Sequence, residues 1–159
     1  MLLIMTLISN CKQPSNHQFT KEDMIAEAEK LDEQYISSLN VENLDGVMSC
    51  YWNDSNLFVY APGDILFTNW DSLKFSFKRY FESVEGGKNE LFDVKHKIVG
   101  DFIVEWGKRR NTLYGTNPKV PPMILENQYM AIVANKNGKW VYVVDHAGQT
   151  LQLSPNYPQ

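Results

Sequence analysis

The spacing of hydrophobic residues changes at Gly86-Gly87, and this change constrains the fold more than any other feature of the chain. Before the two glycines, apolar residues recur every three or four positions, as on the buried face of a helix. After them, apolar and polar residues alternate, as in a strand with one buried face. Because the helical and strand-like patterns occupy different parts of the chain, we expect an α+β domain in which a curved antiparallel sheet covers segregated helices.

Three helices are predicted before the long strands. Thr20 can cap the first, Asn43 a short second, and Asp71 a third that ends at Gly86-Gly87. Between the second and third helices, two brief extended segments flank the turn at Pro62-Gly63. The apolar residues of the first helix follow a four-three-four-four spacing: Met24, Ala28, Leu31, Tyr35 and Leu39.

The strands after Gly87 are predicted to form a meander. Residues 91–99 and 102–110 follow one another across a turn, and residues 123–135 and 139–146 form a hairpin. A curved sheet packed on helices leaves a concave space, which is where ligand sites tend to form, so we expect a cavity between the two layers. In the first of these strands, one face is expected to carry Phe92, Val94, His96 and Ile98.

Composition narrows the class of protein. A chain of 159 residues with 43% hydrophobic content fits one folded domain. The net charge is −4 and the longest basic run is Lys108-Arg109-Arg110, so nucleic acid is not an expected partner. The histidines and cysteines show no metal-ligand spacing, and His96 is interpreted as a core histidine, so neither a metal nor a cofactor is expected.

The N-terminal segment is interpreted as an export signal. Ile8-Ser9-Asn10-Cys11 resembles a bacterial lipobox, in which the cysteine carries lipid after cleavage. No Lys or Arg precedes the apolar run, and the alternative is an apolar tail that packs on the domain. The expected organisation is a signal segment at 1–10, a lipidated Cys11 with a tether at 11–18, a domain at 19–150 and a tail at 151–159, held at the bacterial cell envelope and facing the periplasm or the cell surface.

Two stretches carry a family resemblance. In "EQYISSLNVENLDGVMSCYWNDSNLFVYAPG", residues 33–63, a long helix ends in a Leu-Asn pair and a second begins near an Asp-Gly step. The last long strand carries, in order, Gly138, Trp140, Asp145 and His146. Together they resemble the nuclear transport factor 2-like (NTF2-like) superfamily, and the strand resembles its SnoaL-like and DUF4440-type branches. The likeness covers about residues 19–148 and implies a cone-shaped cavity and, commonly, a homodimer formed through the sheet.

The resemblance does not imply one activity. Members include ketosteroid isomerases, polyketide cyclases, dehydratases and pure binding domains. In the isomerase branch an aspartate base faces a tyrosine and a protonated acid. Here Tyr35 falls at the tyrosine position, but Val59 falls at the base and Met130 near the second acid. We therefore expect no isomerase activity of that kind and interpret Tyr35 as a core or cavity-lining residue.

Asp145 and His146 are adjacent, but successive side chains of a strand point to opposite faces, so they cannot form a dyad. We expect His146 to face the cavity, with Glu126 and Gln128 as polar neighbours across the hairpin. If His146 and a carboxylate converge there, they could act as acid and base. An exposed face with a few hydrophobic residues would give the same pattern.

The expected function is therefore an envelope-anchored domain that binds a small apolar or aromatic molecule without a cofactor. One alternative is a lyase or isomerase that uses His146 with Glu126 or Asp145. Another is a protein-interaction module that works through the sheet face. The expected cavity residues are Tyr35, Trp52, Tyr60, Trp106, Glu126, Gln128 and His146.

Overall fold

The computed structural model describes residues 19–61, 65–83, 86–114, 119–148 and 151–153. The predicted signal segment, Cys11 and the tether lie outside the described residues. Within the described ranges, no helix has the length and apolar character needed to cross a membrane.

Helix α1 (Lys21–Asn40) begins at the predicted cap. Thr20 Oγ1 accepts a hydrogen bond from the Asp23 amide at 3.1 Å, and Asp23 Oδ2 accepts one from the Thr20 amide at 3.0 Å. This capping box satisfies amides that have no partner within the helix. The buried face of α1 contains the predicted apolar residues and two polar ones, Asp32 and Ser38.

Helix α2 (Leu44–Ser49) is short and begins at its predicted cap. Asn43 Oδ1 accepts a hydrogen bond from the Gly46 amide at 3.0 Å. Val47 and Met48 are buried in the main core, so one face of this single-turn element is fixed by packing as well as by its cap.

Helix α3 (Trp70–Ser83) begins earlier than predicted. Asn69 Oδ1 accepts hydrogen bonds from the amides of Asp71 and Ser72, at 2.8 and 3.1 Å. Asn69 is therefore the capping side chain, and Asp71 lies in the first turn, where a negative charge favours the helix dipole.

One sheet of seven strands covers the helices. Its strands are β1 (Phe58–Ala61), β2 (Ile65–Phe67), β3 (Gly87–Val99), β4 (Phe102–Leu113), β5 (Met123–Lys136), β6 (Lys139–Ala147) and β7 (Leu151–Leu153). The order is β2-β1-β6-β5-β4-β3, with β7 paired to β5. Only the β1–β6 pair is parallel among the described strands. The α+β class and the two short strands before α3 are as predicted, whereas β7 lies in the predicted tail.

A bulge in β3 changes which side chains face the helices. The register with β4 shifts between Phe92 and Lys95, and Asp93 has a φ of 55°. Phe92 consequently lies on the outer face, where the cationic groups of Lys108 and Arg110 are 5.4 and 4.9 Å from its ring centre. The predicted placement of Phe92 on the same face as His96 is wrong, because a bulge reverses the alternation of side chains.

A second bulge lies in the β5–β6 pair. The register shifts between Ile132 and Val133 of β5. On β6, Tyr142 belongs to the core beneath the helices, whereas Val143 packs in a separate cluster on the other face. After the bulge, the inward-facing positions are Asp145 and Ala147, not Val144 and His146.

Candidate functional site

A cavity of about 280 Å³ lies between the inner face of the sheet and helices α1 and α3. Known ligand pockets begin at about 300 Å³, so this cavity fits a small molecule of one or two rings. Its walls are mostly apolar, with polar groups at a few positions. The lining residues are Tyr35, Leu39, Tyr51, Val59, Tyr60, Ala61, Phe67, Leu73, Ser76, Phe77, Tyr80, Asn89, Arg109, Asn111, Leu113, Leu125, Asn127, Asp145 and Ala147.

The principal polar cluster of the cavity contains side chains from β4, β5 and β6 and from the segment that follows α2. Tyr51 Oη donates a 2.7 Å hydrogen bond to Asp145 Oδ2, and Arg109 Nη2 lies 3.7 Å from the same oxygen. The Arg109 guanidinium also lies over two rings, 5.3 Å from the centre of Tyr35 and 5.5 Å from that of Tyr129. The guanidinium is therefore held by charge on one side and by aromatic faces on the others.

In the described part of the chain, three buried polar atoms of this region have no protein partner. Within the described residues, Asp145 Oδ1 and Asn127 Oδ1 accept no hydrogen bond, and Arg109 Nε donates none. An unsatisfied buried polar group costs about 1–3 kcal/mol, so such groups usually meet water or a ligand. All three residues line the cavity, so the unsatisfied atoms belong to the side chains of its wall.

Burial fixes the protonation of the aromatic hydroxyls. It raises the pKa of Tyr35 and raises that of Tyr51 well above the ordinary value, and the charge of Asp145 adds to both shifts. For Arg109, burial lowers the pKa, but the electrostatic interactions with Tyr35 and Asp145 outweigh burial and leave the pKa above the usual range. At neutral pH the tyrosines are therefore hydrogen-bond donors and Arg109 is charged.

Three asparagines connect α1 to the sheet beside the cavity. Asn40 Oδ1 accepts a hydrogen bond from the Asn89 amide at 2.6 Å, and Asn40 Nδ2 donates to the Asn89 carbonyl at 3.1 Å. Asn111 Nδ2 donates to Asn89 Oδ1. The three asparagine side chains use their polar atoms to bond to one another, so they shape the cavity wall. The unsatisfied polar atoms belong instead to the cluster around Asp145.

The expectation that His146 faces the cavity is wrong, because the β6 bulge turns Asp145 inward instead. Asp145 is buried, whereas His146 is exposed and its ring stacks on Tyr60, with centroids 5.3 Å apart. The prediction that the two side chains point to opposite faces agrees with the structure, but the faces are interchanged. Among the cavity candidates, Tyr35 and Tyr60 do line it.

The remaining candidates lie on the outer face of the sheet. Glu126 Oε1 accepts a 2.6 Å hydrogen bond from Arg110 Nε, and Gln128 is exposed. Trp106 is 41% exposed, and Trp52 packs against the small outer cluster. The expected cavity floor is therefore an outer surface. β5 alternates without interruption here, and its pairing with β4 places Glu126 and Gln128 beside the outward-facing Arg110 and Lys108.

A second polar cluster lies beneath α1, on the β3–β4 hairpin. His96 Nε2 is 3.2 Å from Glu105 Oε2, and Tyr129 Oη donates to Glu105 Oε1 at 2.8 Å. Tyr142 Oη donates to Asp32 Oδ1. Burial, and then the neighbouring charge of Glu105, raise the pKa of Asp32 to about 7. The hydrogen bond to Glu105 raises the pKa of His96 above its ordinary value.

Two buried polar residues, Asp32 and Glu105, stand at sequence positions that predict burial, although they were not among the candidate residues. Asp32 follows Ala28 by four positions and precedes Tyr35 by three, so it belongs to the apolar stripe of α1. Glu105 alternates with Ile103 on β4 and shares its buried face. Arg109 shares this alternating face, four positions after Glu105, but it stands in a basic run that was interpreted only as a cluster of charges.

No protein-family profile and no curated protein sequence matches the chain. Solved structures do resemble it. The "Putative Scytalone Dehydratase" of Novosphingobium aromaticivorans matches with a TM-score of 0.70 and 14% identity, over 82% of this chain and 88% of that one. An NTF2-like protein of unknown function from Shewanella oneidensis matches with a TM-score of 0.61 and 18% identity, over 78% and 98%.

A third similar structure is described as a "putative dehydratase from the NTF2-like family" of Streptomyces avermitilis. Its TM-score is 0.69 and its identity 11%, over 80% of this chain and 97% of that one. At such identities the likeness concerns the fold, and the site rests on the residues described above. The order of helices and strands, the curved sheet and these likenesses agree with the resemblance in the sequence: the protein has the NTF2-like fold.

Proposed function

We propose that the protein binds a small, mostly apolar molecule in the cavity and recognises one polar group of that molecule through Asp145, Asn127 and Arg109. The observation that carries this proposal is the set of three buried polar atoms without a partner in the described part of the chain, all at the cavity wall. The surrounding walls supply apolar contact, and the unpaired atoms supply orientation.

The unpaired atoms define the chemistry of the ligand. A group that donates to one of the two acceptors, Asp145 Oδ1 or Asn127 Oδ1, and accepts from Arg109 Nε satisfies two of the three unpaired atoms. A hydroxyl meets both requirements, since it has one donor hydrogen and two acceptor lone pairs. The proposed ligand is therefore a one- or two-ring alcohol, phenol or enol.

Catalysis by Asp145 is the second candidate function. A buried carboxylate with a free oxygen in an apolar cavity can take a proton from a bound substrate, and the adjacent Arg109 can stabilise negative charge that develops there. Two proteins of similar fold are described as dehydratases, which suits a lyase reaction of this type. His146 and Glu126 have no part in this candidate reaction, because they lie on the opposite face of the sheet.

A thermal-shift experiment tests ligand binding. The panel consists of one- and two-ring alcohols and phenols, including 2-naphthol, each paired with its methyl ether. We expect hydroxyl compounds to raise the Tm of the wild type more than their ethers, since a ligand that binds only the folded state stabilises it. Leu125→Trp, which fills the cavity, should remove the shift.

Asp145→Asn and His146→Asn form a matched pair at adjacent positions on opposite faces. Asp145→Asn keeps an acceptor for Tyr51 but changes the ligand-facing group, so it should reduce the difference between a phenol and its ether. His146→Asn should leave that difference unchanged. If no panel compound raises the Tm at millimolar concentration, or if His146→Asn alone abolishes the shift, the proposal is wrong.

We also propose that the domain is held at the bacterial cell envelope through lipid on Cys11. The support is the lipobox-like sequence Ile8-Ser9-Asn10-Cys11, which lies outside the described residues. Metabolic labelling with a fatty-acid analogue should tag the wild type and not Cys11→Ala, and equal labelling of the two would exclude the anchor.

A further inference from the structure

We propose that Asp32, His96 and Glu105 form a binding site for a divalent transition-metal ion. The three side chains come from α1, β3 and β4, so the ion would join the helix to the β3–β4 hairpin. The site is distinct from the ligand cavity, because none of the three residues lines that cavity.

The positions of the ligand atoms fit such an ion. One nitrogen of His96 and one oxygen from each carboxylate all lie within 4.8 Å of one another. Metal–ligand bonds of about 2.0–2.2 Å place tetrahedral ligand atoms about 3.4 Å apart. The 3.2 Å between His96 Nε2 and Glu105 Oε2 is already close to that spacing. Only a small side-chain movement is needed to complete the set.

Two buried tyrosines hold the carboxylates in place for this role. Tyr142 donates to Asp32 Oδ1, and Tyr129 donates to Glu105 Oε1. Each bond occupies one carboxylate oxygen and leaves the other to bind the ion. Outer hydrogen bonds of this kind orient metal ligands and strengthen binding.

The charge of the cluster also favours a cation. Asp32 and Glu105 are both buried, and Glu105 is fully inaccessible to solvent. Within the described residues, neither carboxylate forms an ion pair with a Lys or Arg, and His96 is the only cationic side chain paired with Glu105. Two neighbouring buried carboxylates with so few positive partners repel each other and are poorly solvated. A divalent ion would neutralise the charge of both.

An acidic groove leads from the solvent to the cluster. Asp32 and His96 form part of its wall, together with Glu29, Glu33 and Glu90. The one lysine of the groove, Lys88, is paired with Glu90 at 2.6 Å. The groove therefore attracts cations, and it leaves room for water as a further ligand of the ion.

The donor set selects the class of metal. One imidazole with two carboxylates suits Zn²⁺, Mn²⁺ or Fe²⁺, whereas Mg²⁺ and Ca²⁺ prefer sites made only of oxygen. No sulfur ligand belongs to the cluster that the described residues form. Zn²⁺ is the ion to test first, with Mg²⁺ as the comparison.

The test is isothermal titration of the full chain with ZnCl₂ after removal of metals by a chelator. Cys11→Ser and His17→Gln are included as a common background, because both side chains could bind zinc outside the described residues. We expect one Zn²⁺ per chain and no comparable binding of Mg²⁺. Asp32→Asn and His96→Gln should each weaken Zn²⁺ binding at least about tenfold, as loss of groups that hold a metal does.

His146→Gln is the matched control, since it removes an exposed histidine and should leave Zn²⁺ binding unchanged. X-ray absorption of the bound zinc should show nitrogen and oxygen ligands at about 2.0–2.2 Å, with the imidazole signal lost in His96→Gln. Circular dichroism identifies any variant that fails to fold, and Asp32→Asn is isosteric.

If the background protein takes up no Zn²⁺, the two carboxylates share a proton instead and the proposal is wrong. Equal binding by the background protein and by folded His96→Gln would also overturn it, because the zinc would then bind elsewhere. Either result leaves the ligand-cavity proposal untouched, since the two sites share no residue.

Discussion

At the scale of single residues, the cavity combines an ion pair with apolar walls. Arg109 and Asp145 are both largely buried, and Tyr51 completes the carboxylate's contacts on one side. A buried charge is tolerated only when a partner compensates it, so each of the two charges depends on the other. The same two side chains also carry unsatisfied atoms, Oδ1 of Asp145 and Nε of Arg109, which the proposed ligand would meet.

Removing one charge of this pair should therefore be more harmful than removing both. Arg109→Met leaves Asp145 buried without its charge partner, and we expect a loss of about 3–5 kcal/mol in the free energy of unfolding. Adding Asp145→Asn to that variant should restore part of the loss. Urea unfolding of the two single variants and the double variant measures this coupling, and strictly additive losses would show that the pair does not interact.

Cys50 should be chemically inert in the folded protein. Its side chain is fully buried, and burial raises the pKa of its thiol to about 11. At pH 8 only about one molecule in a thousand would carry the reactive thiolate. In a Cys11→Ser background, iodoacetamide should label the protein in urea but not in buffer, with a rate in buffer that rises toward pH 11. Rapid labelling at pH 8 without denaturant would contradict the buried position.

At the scale of elements, strand faces depend on two bulges that the hydrophobic pattern did not reveal. The helices, their apolar faces and two of three caps followed from local signals, because periodicity and capping are local properties of the sequence. The outward orientation of His146 and the inward orientation of Asp145 did not follow from these local signals. One extra residue on β6 reverses the alternation, and no glycine or proline marks the place.

The contact between α1 and α2 should depend on the absence of a side chain at Gly46. A Cβ there would lie 2.5 Å from Ser38 Oγ and 2.8 Å from Asn43 Nδ2, the residue that caps α2. We expect Gly46→Ala to lower the free energy of unfolding by about 1–3 kcal/mol through overpacking. Adding Ser38→Ala, which removes the nearer clash, should recover part of the loss. Chemical denaturation measures both, and an unchanged stability of Gly46→Ala would refute this packing.

At the scale of the whole molecule, the outer face of the sheet presents a band of exposed hydrophobic side chains. Phe58, Phe102, Trp106 and Met130 are each more than two-fifths exposed, and Trp106 and Met130 are paired across β4 and β5. Exposed apolar patches of this kind commonly mark interfaces. We expect this face to pair with the same face of a second copy, as the resemblance implies.

Two variants distinguish dimerisation through this band from association through other exposed apolar residues. Trp106→Glu should convert the expected dimer to a monomer in sedimentation velocity, because it places a charge at the core of the proposed interface. Phe75→Glu on α3 is the control, since Phe75 is 61% exposed but belongs to the helical layer. A wild-type protein that is already monomeric at high concentration, or a Phe75→Glu variant that alone dissociates, would contradict this interface.

The sequence predicted a cavity and some of its residues, but not the set of polar side chains that meet there. Tyr35 was placed correctly because helical periodicity is continuous along α1. Arg109 and Asn127 come from separate strands, and they meet Asp145 only through the registers of β4, β5 and β6. Asp32, His96 and Glu105 likewise lack regular spacing, since three different elements bring them together. Residues that are far apart in the sequence meet only through the topology of the fold, so no local sequence pattern predicts such a site.

We propose that the cavity, and not the outer face of the sheet, binds a hydroxyl-bearing ring compound. The most direct test is a titration of ¹⁵N-labelled protein with 2-naphthol, followed by backbone chemical shifts. We predict that the largest changes occur at Ala61, Leu113 and Ala147 around the cavity, and that Leu125→Trp abolishes them. Changes centred on Trp106, Met130 and His146, or no saturable change at all, would contradict the claim.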